Sequence, residues 1–79
     1  MLTLGQRLRF ARERRDFSQS DLARRADMDQ TQVAHYESGS RGPSADNLRK
    51  LALALDVSAD YLLGLSDETA RLRSYPLTK

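Results

Sequence analysis

Residues 19–38 read QSDLARRADMDQTQVAHYES, and this stretch decides the fold. Leu22, Ala23 and Ala26 form an apolar face at helical spacing. Ser18 stands before them with Asp21 three residues on, an acidic variant of the capping box. Asp27, Met28 and Asp29 are too few for anything but a tight turn, and Asp29 is a good N-cap for a second helix from Gln30 to about Tyr36. Val33 and Tyr36 face inward from that helix, which leaves Gln30, Thr31, Ala34 and His35 more outward. Ala23 is small where the two helices cross, opposite Val33; a larger side chain there pushes the second helix off the first.

The same reading extends outward. Leu4, Leu8, Ala11 and Arg15 lie on one stripe of an earlier helix, capped by Thr3 and stopping near Asp16, after which Phe17 packs inward as a plug. Ser38-Gly39-Ser40-Arg41-Gly42-Pro43 is a loop. Ser44 caps a fourth helix holding Leu48, Leu51, Ala52 and Leu55, and Asp56 ends it. Ser58 caps a short fifth helix with Tyr61, Leu62 and Leu65, ended or bent by Gly64. Phe10, Phe17, Met28 and Tyr36 are expected in the core or at its edge. Residues 66–79 are polar with one proline, a tail or the start of a linker, so the folded domain is expected over 1–65. The fold class is all-α, five short helices with no strand.

Composition excludes much. A 79-residue chain supports one core and buries only about three fifths of its unfolded surface. Without cysteine it has neither disulfides nor thiolate metal sites, and a lone His35 with scattered carboxylates makes no metal site. No cofactor is expected: the glycines at 5, 39, 42 and 64 form no phosphate-binding loop. His35 has serines and aspartates to pair with, but a surface helix of so small a domain offers no cleft to exclude water, so an enzyme is not expected. No apolar run reaches membrane-spanning length, and MLTLGQRLRF lacks the order of a signal peptide. The expected location is cytoplasmic and nucleoid-associated.

Charge is unevenly spread. Residues 1–26 carry seven arginines against Glu13, Asp16 and Asp21, whereas residues 27–68 carry three cations against eight acids. Such separation suits one positive face turned to a polyanion, and it equally suits solvated helix faces. Eleven of the thirteen cations are arginine, the better match to the planar geometry of phosphate.

A helix of about eight residues, a turn of about three and a second helix of similar length make a helix-turn-helix, whose second helix enters the major groove. The chain resembles the Cro/repressor-type family, also called the xenobiotic-response-element family, which includes the lambdoid phage repressors. The resemblance covers about residues 4–65. It rests on the joint spacing of Ser18-Gln19, Leu22-Ala23, Val33, Tyr36-Glu37, Gly39, Pro43-Ser44, Leu48, Leu51-Ala52, Leu55, Val57-Ser58 and Tyr61-Leu62. It implies a lambda-repressor-like domain in which Gln30, Thr31, Gln32 and His35 read bases and Gln19 meets a phosphate. It also implies an ion pair between Arg12 and Glu37, joining the first helix to the end of the third.

Chemistry adds detail. The Gln30 amide suits adenine N6 and N7, and Thr31 suits a thymine methyl or a phosphate. Gln32 turns partly back toward the second helix, and His35 is divided between a nucleic-acid contact and partial burial. Arg41 in its glycine-bracketed loop, with Ser40 beside it, is a candidate phosphate clamp, and Arg12 is a further phosphate candidate. A terminal helix this short cannot bury Tyr61, Leu62, Leu63 and Leu65 together, so some remain for a two-fold partner.

Three departures stand out from the family pattern. Asp16, Asp27 and Asp56 replace glycines at helix ends; Asp29 places a negative charge near the DNA; and the reading helix has no Arg or Lys. Non-specific affinity then falls to Arg7, Arg9, Arg12, Arg14, Arg24, Arg25 and Arg41. The expected function is a sequence-specific double-stranded DNA-binding transcriptional regulator, a repressor acting as a homodimer on a pseudo-palindromic operator. The alternatives are the antitoxin of a toxin–antitoxin pair, with a partner protein to neutralise, and a protein-binding module of the same fold.

Overall fold

Each helix starts where a short polar residue precedes it. The computed structural model describes residues 2–67; the rest of the expected tail, with Arg71, Arg73 and Lys79, lies outside the described residues. Five helices run α1 (Leu4–Arg14), α2 (Gln19–Arg25), α3 (Gln30–Ser38), α4 (Ala45–Leu55) and α5 (Ala59–Leu63), with no strand among the described residues.

The caps follow the sequence. Thr3 Oγ1 accepts from the Gln6 backbone N–H at 3.1 Å while Gln6 Oε1 accepts from that of Thr3 at 2.9 Å. Ser18 and Asp21 exchange the same two bonds at 2.9 Å each. The Ser18 N–H first, with the Arg24 guanidinium, holds the Asp21 carboxyl below its ordinary pKa. Ser44 and Ser58 cap α4 and α5 through their hydroxyls. Asp16, Asp27 and Asp56 adopt the left-handed conformation, with φ of 59°, 56° and 57°. Each carries the strain that glycine avoids, of order 1–2 kcal/mol.

The core gathers Leu8 and Ala11, Leu22, Ala23 and Ala26, Val33 and Tyr36, Leu51, Ala52 and Leu55, and Val57, Tyr61 and Leu62. Helix α3 packs between α1 and α2; α4 closes on α2, and α5 bridges α4 and α1. Ala23 and Val33 are both buried, as the helix crossing requires.

Some expectations are corrected. Helix α3 runs two residues past Tyr36, because its last turn packs on α1. Phe10 is not a core residue: it is 50% exposed, with the Arg14 guanidinium 5.6 Å from its ring centroid. Arg15 leaves the apolar stripe to pair with Asp56 at 3.3 Å. Phe17 keeps its expected place at the edge of the core, half-buried and packed against it, with the Arg25 guanidinium 4.4 Å from its ring centroid. Leu65 lies beyond the end of α5 and is 74% exposed. Among the described residues no helix is long and apolar enough to cross a membrane.

Two features of α1 set its position. A Cβ on Gly5 would stand 2.6 Å from the Tyr36 carbonyl oxygen and closer still to that of Glu37, so the helix backbone abuts the end of α3 directly. Two residues on, and so on a different face of α1, Arg7 is buried: it donates to the Tyr61 and Ser66 carbonyls at 3.3 and 3.4 Å and to Asp67 Oδ1 at 3.1 Å, and it stacks on the Tyr61 ring. Arg7 therefore belongs to the fold and leaves the pool of cations available to a nucleic acid. Gly5→Ala should lower the unfolding free energy by roughly 1–3 kcal/mol, since overpacking a tight crossing forces backbone shifts. Urea denaturation followed by circular dichroism measures it, and an unchanged midpoint would refute the close approach.

Candidate nucleic-acid interface

The geometry at α3 is set by a charge pair inside the fold. Arg12 Nε donates to Glu37 Oε2 at 2.6 Å and Nη2 to Oε1 at 3.1 Å, a two-pronged bond between the last turn of α1 and the last turn of α3. Nη1 donates to the Phe17 carbonyl at 2.7 Å, tying in the turn before α2. The two side chains are 12% and 6% exposed. The Glu37 bond raises the Arg12 pKa above its ordinary value against the opposing effect of burial. The ion pair expected from the resemblance is present; the phosphate role expected for Arg12 is not, because its donors point inward.

Gln19, the first residue of α2, adds a third link. Its Nε2 donates to Glu37 Oε1 at 3.1 Å, so part of the amide expected at a phosphate is spent on α3. The neighbouring Ser20 Oγ donates to Gln30 Oε1 at 3.3 Å. Residues 19 and 20 thus touch opposite ends of α3.

The four base-reading candidates divide. Gln30 and Thr31 are exposed at the start of α3. Gln32 is half-buried, and its Oε1 accepts from the Asp29 backbone N–H at 3.1 Å, which makes it chiefly a helix cap. His35 is half-buried, with Nδ1 2.8 Å from Ser40 Oγ. Ser40 is held in turn by the Ser38 hydroxyl at 3.1 Å, so loop and helix form one polar cluster. Arg41 is exposed at the outer edge of that loop, with no ion pair among the described residues. Arg49 and Lys50, the described cations nearest to it in sequence, both pair with Asp46, while Arg24 pairs with Asp21 at 3.0 Å and Arg25 stacks on Phe17.

The candidate partner-facing residues are also sorted. Tyr61 and Leu62 are core residues, 5% and 1% exposed, which corrects their assignment to a subunit surface: α5 turns this side onto α1 and α4. Leu63 and Leu65 are 49% and 74% exposed. Leu53 of α4 is 54% exposed as well. Among the described residues no group of His, Cys, Asp or Glu is arranged to hold a metal ion.

Sequence reasoning missed Gly5, Arg7 and Ser20. A glycine inside a helix, where it costs about 1 kcal/mol against alanine, was a signal of close backbone approach. For Ser20 there was no signal, since its partner is set by how two helices cross.

A family model described as a helix-turn-helix domain matches residues 5–68. The HTH-type transcriptional regulator ImmR of Bacillus subtilis is 36% identical over 70 residues, covering 89% of this chain and 54% of that protein. The chain spans about half the length of the curated relatives it matches. The structure of the P22 c2 repressor in complex with a synthetic operator superposes with a TM-score of 0.79 at 27% identity, covering 84% of this chain and 100% of that one. The restriction-modification controller protein C.AhdI of Aeromonas hydrophila does so with a TM-score of 0.73 at 40% identity, covering 76% and 91%.

The Arg12–Glu37 pair makes a specific energetic demand. Arg12→Met or Glu37→Leu alone should cost about 3–5 kcal/mol, because each leaves a buried charge without its partner. The double variant should cost clearly less than the two single costs added, since neither charge remains. Urea unfolding of the three variants checks this, and strict additivity would show that the two groups do not interact.

Proposed function

The chain belongs to the helix-turn-helix domain family, and from that premise we propose that it is a sequence-specific double-stranded DNA-binding transcriptional regulator, a repressor that acts by occupying its operator. Residues 1–65 form its DNA-binding unit. The observation that carries the reading is the start of α3, where Gln30 and Thr31 stand exposed beside Ser20 while the other end of the helix is locked to α1 through Glu37. A rigid helix with polar side chains at its free end matches what the major groove accepts. The relatives support it: two carry names of HTH-type transcriptional regulators, and the P22 c2 repressor was solved on an operator.

In this reading Gln30 and Thr31 contact base edges, Gln32 caps the same turn, and His35 supports them from the next turn. Arg41 contacts a phosphate, with Ser40 fixing the loop that carries it. Gln30→Ala should cost about 1–3 kcal/mol on the preferred duplex and little on a scrambled one, because its partner is a base. Arg41→Ala should weaken both duplexes alike and lower the salt slope by about one. Titrations of both variants against the two duplexes at several salt concentrations test this; if neither variant changed either affinity, α3 would not be in the groove.

The chain acts as a homodimer on DNA. Leu63 and Leu65, outside the core at the end of α5, supply the contact, and half-sites lie about 34 Å apart, one helical turn. Leu63→Ser with Leu65→Ser should weaken binding to a two-half-site operator while leaving the unfolding transition and single half-site affinity unchanged. Equal binding by wild type to one and two half-sites would remove the dimer from the proposal.

A further inference from the structure

A cleft of about 410 Å³ opens between the second half of α1 and the turn that joins α4 to α5. Its size is within the range of small-molecule sites, roughly 300–1,000 Å³. Its depth comes from Ala11. This residue is buried on the inward stripe of α1 but contributes only a methyl, so the hollow is not filled from α1 as a leucine there would fill it. Core residues Leu55, Val57 and Tyr61 make the floor apolar, and the half-exposed Phe10 ring makes one wall. Phe10 and Arg14, four apart, share a face of α1, whereas Arg12 is two residues from each, about 200° around the helix. The cleft therefore opens on the side of α1 away from the Arg12–Glu37 pair and α3.

Charge at the rim decides what fits. Arg15 and Asp56 neutralise each other at 3.3 Å. Arg14 has no carboxylate partner among the described residues; its guanidinium lies over the Phe10 ring, 5.6 Å from the centroid, where its N–H groups still donate in their own plane. Two arginines against one aspartate leave the lining a single positive charge. We infer that this cleft is a binding site for a small aromatic monocarboxylate, with its ring on the apolar floor beside Phe10 and Tyr61 and its carboxylate on Arg14. A cation is repelled by the two arginines, and a second negative charge would face Asp56. The site is independent of the groove reading of α3.

The test uses the full chain and three probes: phenylbutyrate, its neutral analogue phenylbutanol, and butyrate, which has the charge without the ring. Titrations are followed by amide NMR. Phenylbutyrate should give saturable shifts confined to residues such as Phe10, Ala11 and Val57, and should bind about fivefold more tightly than phenylbutanol, the factor of one exposed charge pair. Butyrate should bind far more weakly than either. Arg14→Gln should bring phenylbutyrate down to the affinity of phenylbutanol, and Arg14→Lys should restore much of the difference. Ala11→Leu should fill the floor and abolish binding of both ring compounds. Phe10→Ala, at a half-exposed position that leaves the fold intact, should weaken both about fivefold through loss of the ring contact. No saturable shifts, shifts spread over the whole chain, or equal affinities for the acid and the alcohol would overturn the site. So would two other occupants of the cleft: a second copy, seen as the same shifts on diluting the free protein, or residues 68–79, seen as their proton–proton contacts with Phe10.

Discussion

The buried pair between Arg12 and Glu37 is the constraint from which the arrangement of the other helices follows. Two opposite charges, nearly closed off from solvent, are stable together only in a narrow geometry, since displacement by an ångström or two exposes each to the full cost of desolvation. That narrowness makes the pair a positioning device more than a source of stability. It fixes α1 relative to α3, and through the Phe17 carbonyl it also fixes the turn that launches α2. Gly5 completes the arrangement from below. Only a residue without a Cβ lets the two backbones meet at the end of α3, where the pair closes.

With its C-terminal end held in this way, α3 presents an uneven surface. Its last turn is engaged by Arg12, Gln19 and the Ser38–Ser40 cluster, while its first turn faces outward. Rigidity at one end and polarity at the other are what a recognition element needs, because a base edge rewards a side chain only within a few tenths of an ångström and some tens of degrees. The arginine-rich N-terminal third contributes less positive potential than its composition suggests. Arg7 and Arg12 serve inside the fold, Arg9 pairs with Glu13, and Arg24 pairs with Asp21. Internal structure and surface charge draw on the same residue type, and the structure gives priority to the former.

This division explains how much could be seen in the sequence. Helix starts were legible, because Thr3, Ser18, Ser44 and Ser58 act on backbone groups two or three residues away, within the range that a local pattern encodes. The left-handed aspartates were legible through the family resemblance, which has glycine where they stand. The Arg12–Glu37 pair, twenty-five residues apart in sequence, was legible only through the family resemblance. What the pattern did not contain was direction at the chain's end. Tyr61, Leu62, Leu63 and Leu65 look alike on paper, and only the docking of α5 on α1 and α4 decides that the first two go inward. Phe10 shows the opposite error: its size suggested the core, yet its place on the outer side of α1 left its ring half exposed under Arg14.

As the proposed reading helix, α3 has neither lysine nor arginine, which bears on how affinity and specificity are divided. Cations on the recognition helix bind phosphate and base alike, so their loss lowers both together. Here the exposed end of α3 offers neutral hydrogen-bonding groups, and Asp29 at its start adds a charge that repels phosphate. In the proposed complex, attraction to the polyanion therefore comes from outside α3, from Arg41 and the rest of the exposed cations, and is shared by every sequence. Discrimination must come from the amide and hydroxyl groups of α3, whose individual contributions are small and depend on orientation. Small contributions discriminate only if the groups cannot relax toward a wrong base, and that is the physical reason for bracing α3 against its neighbours from Gln30 to Glu37.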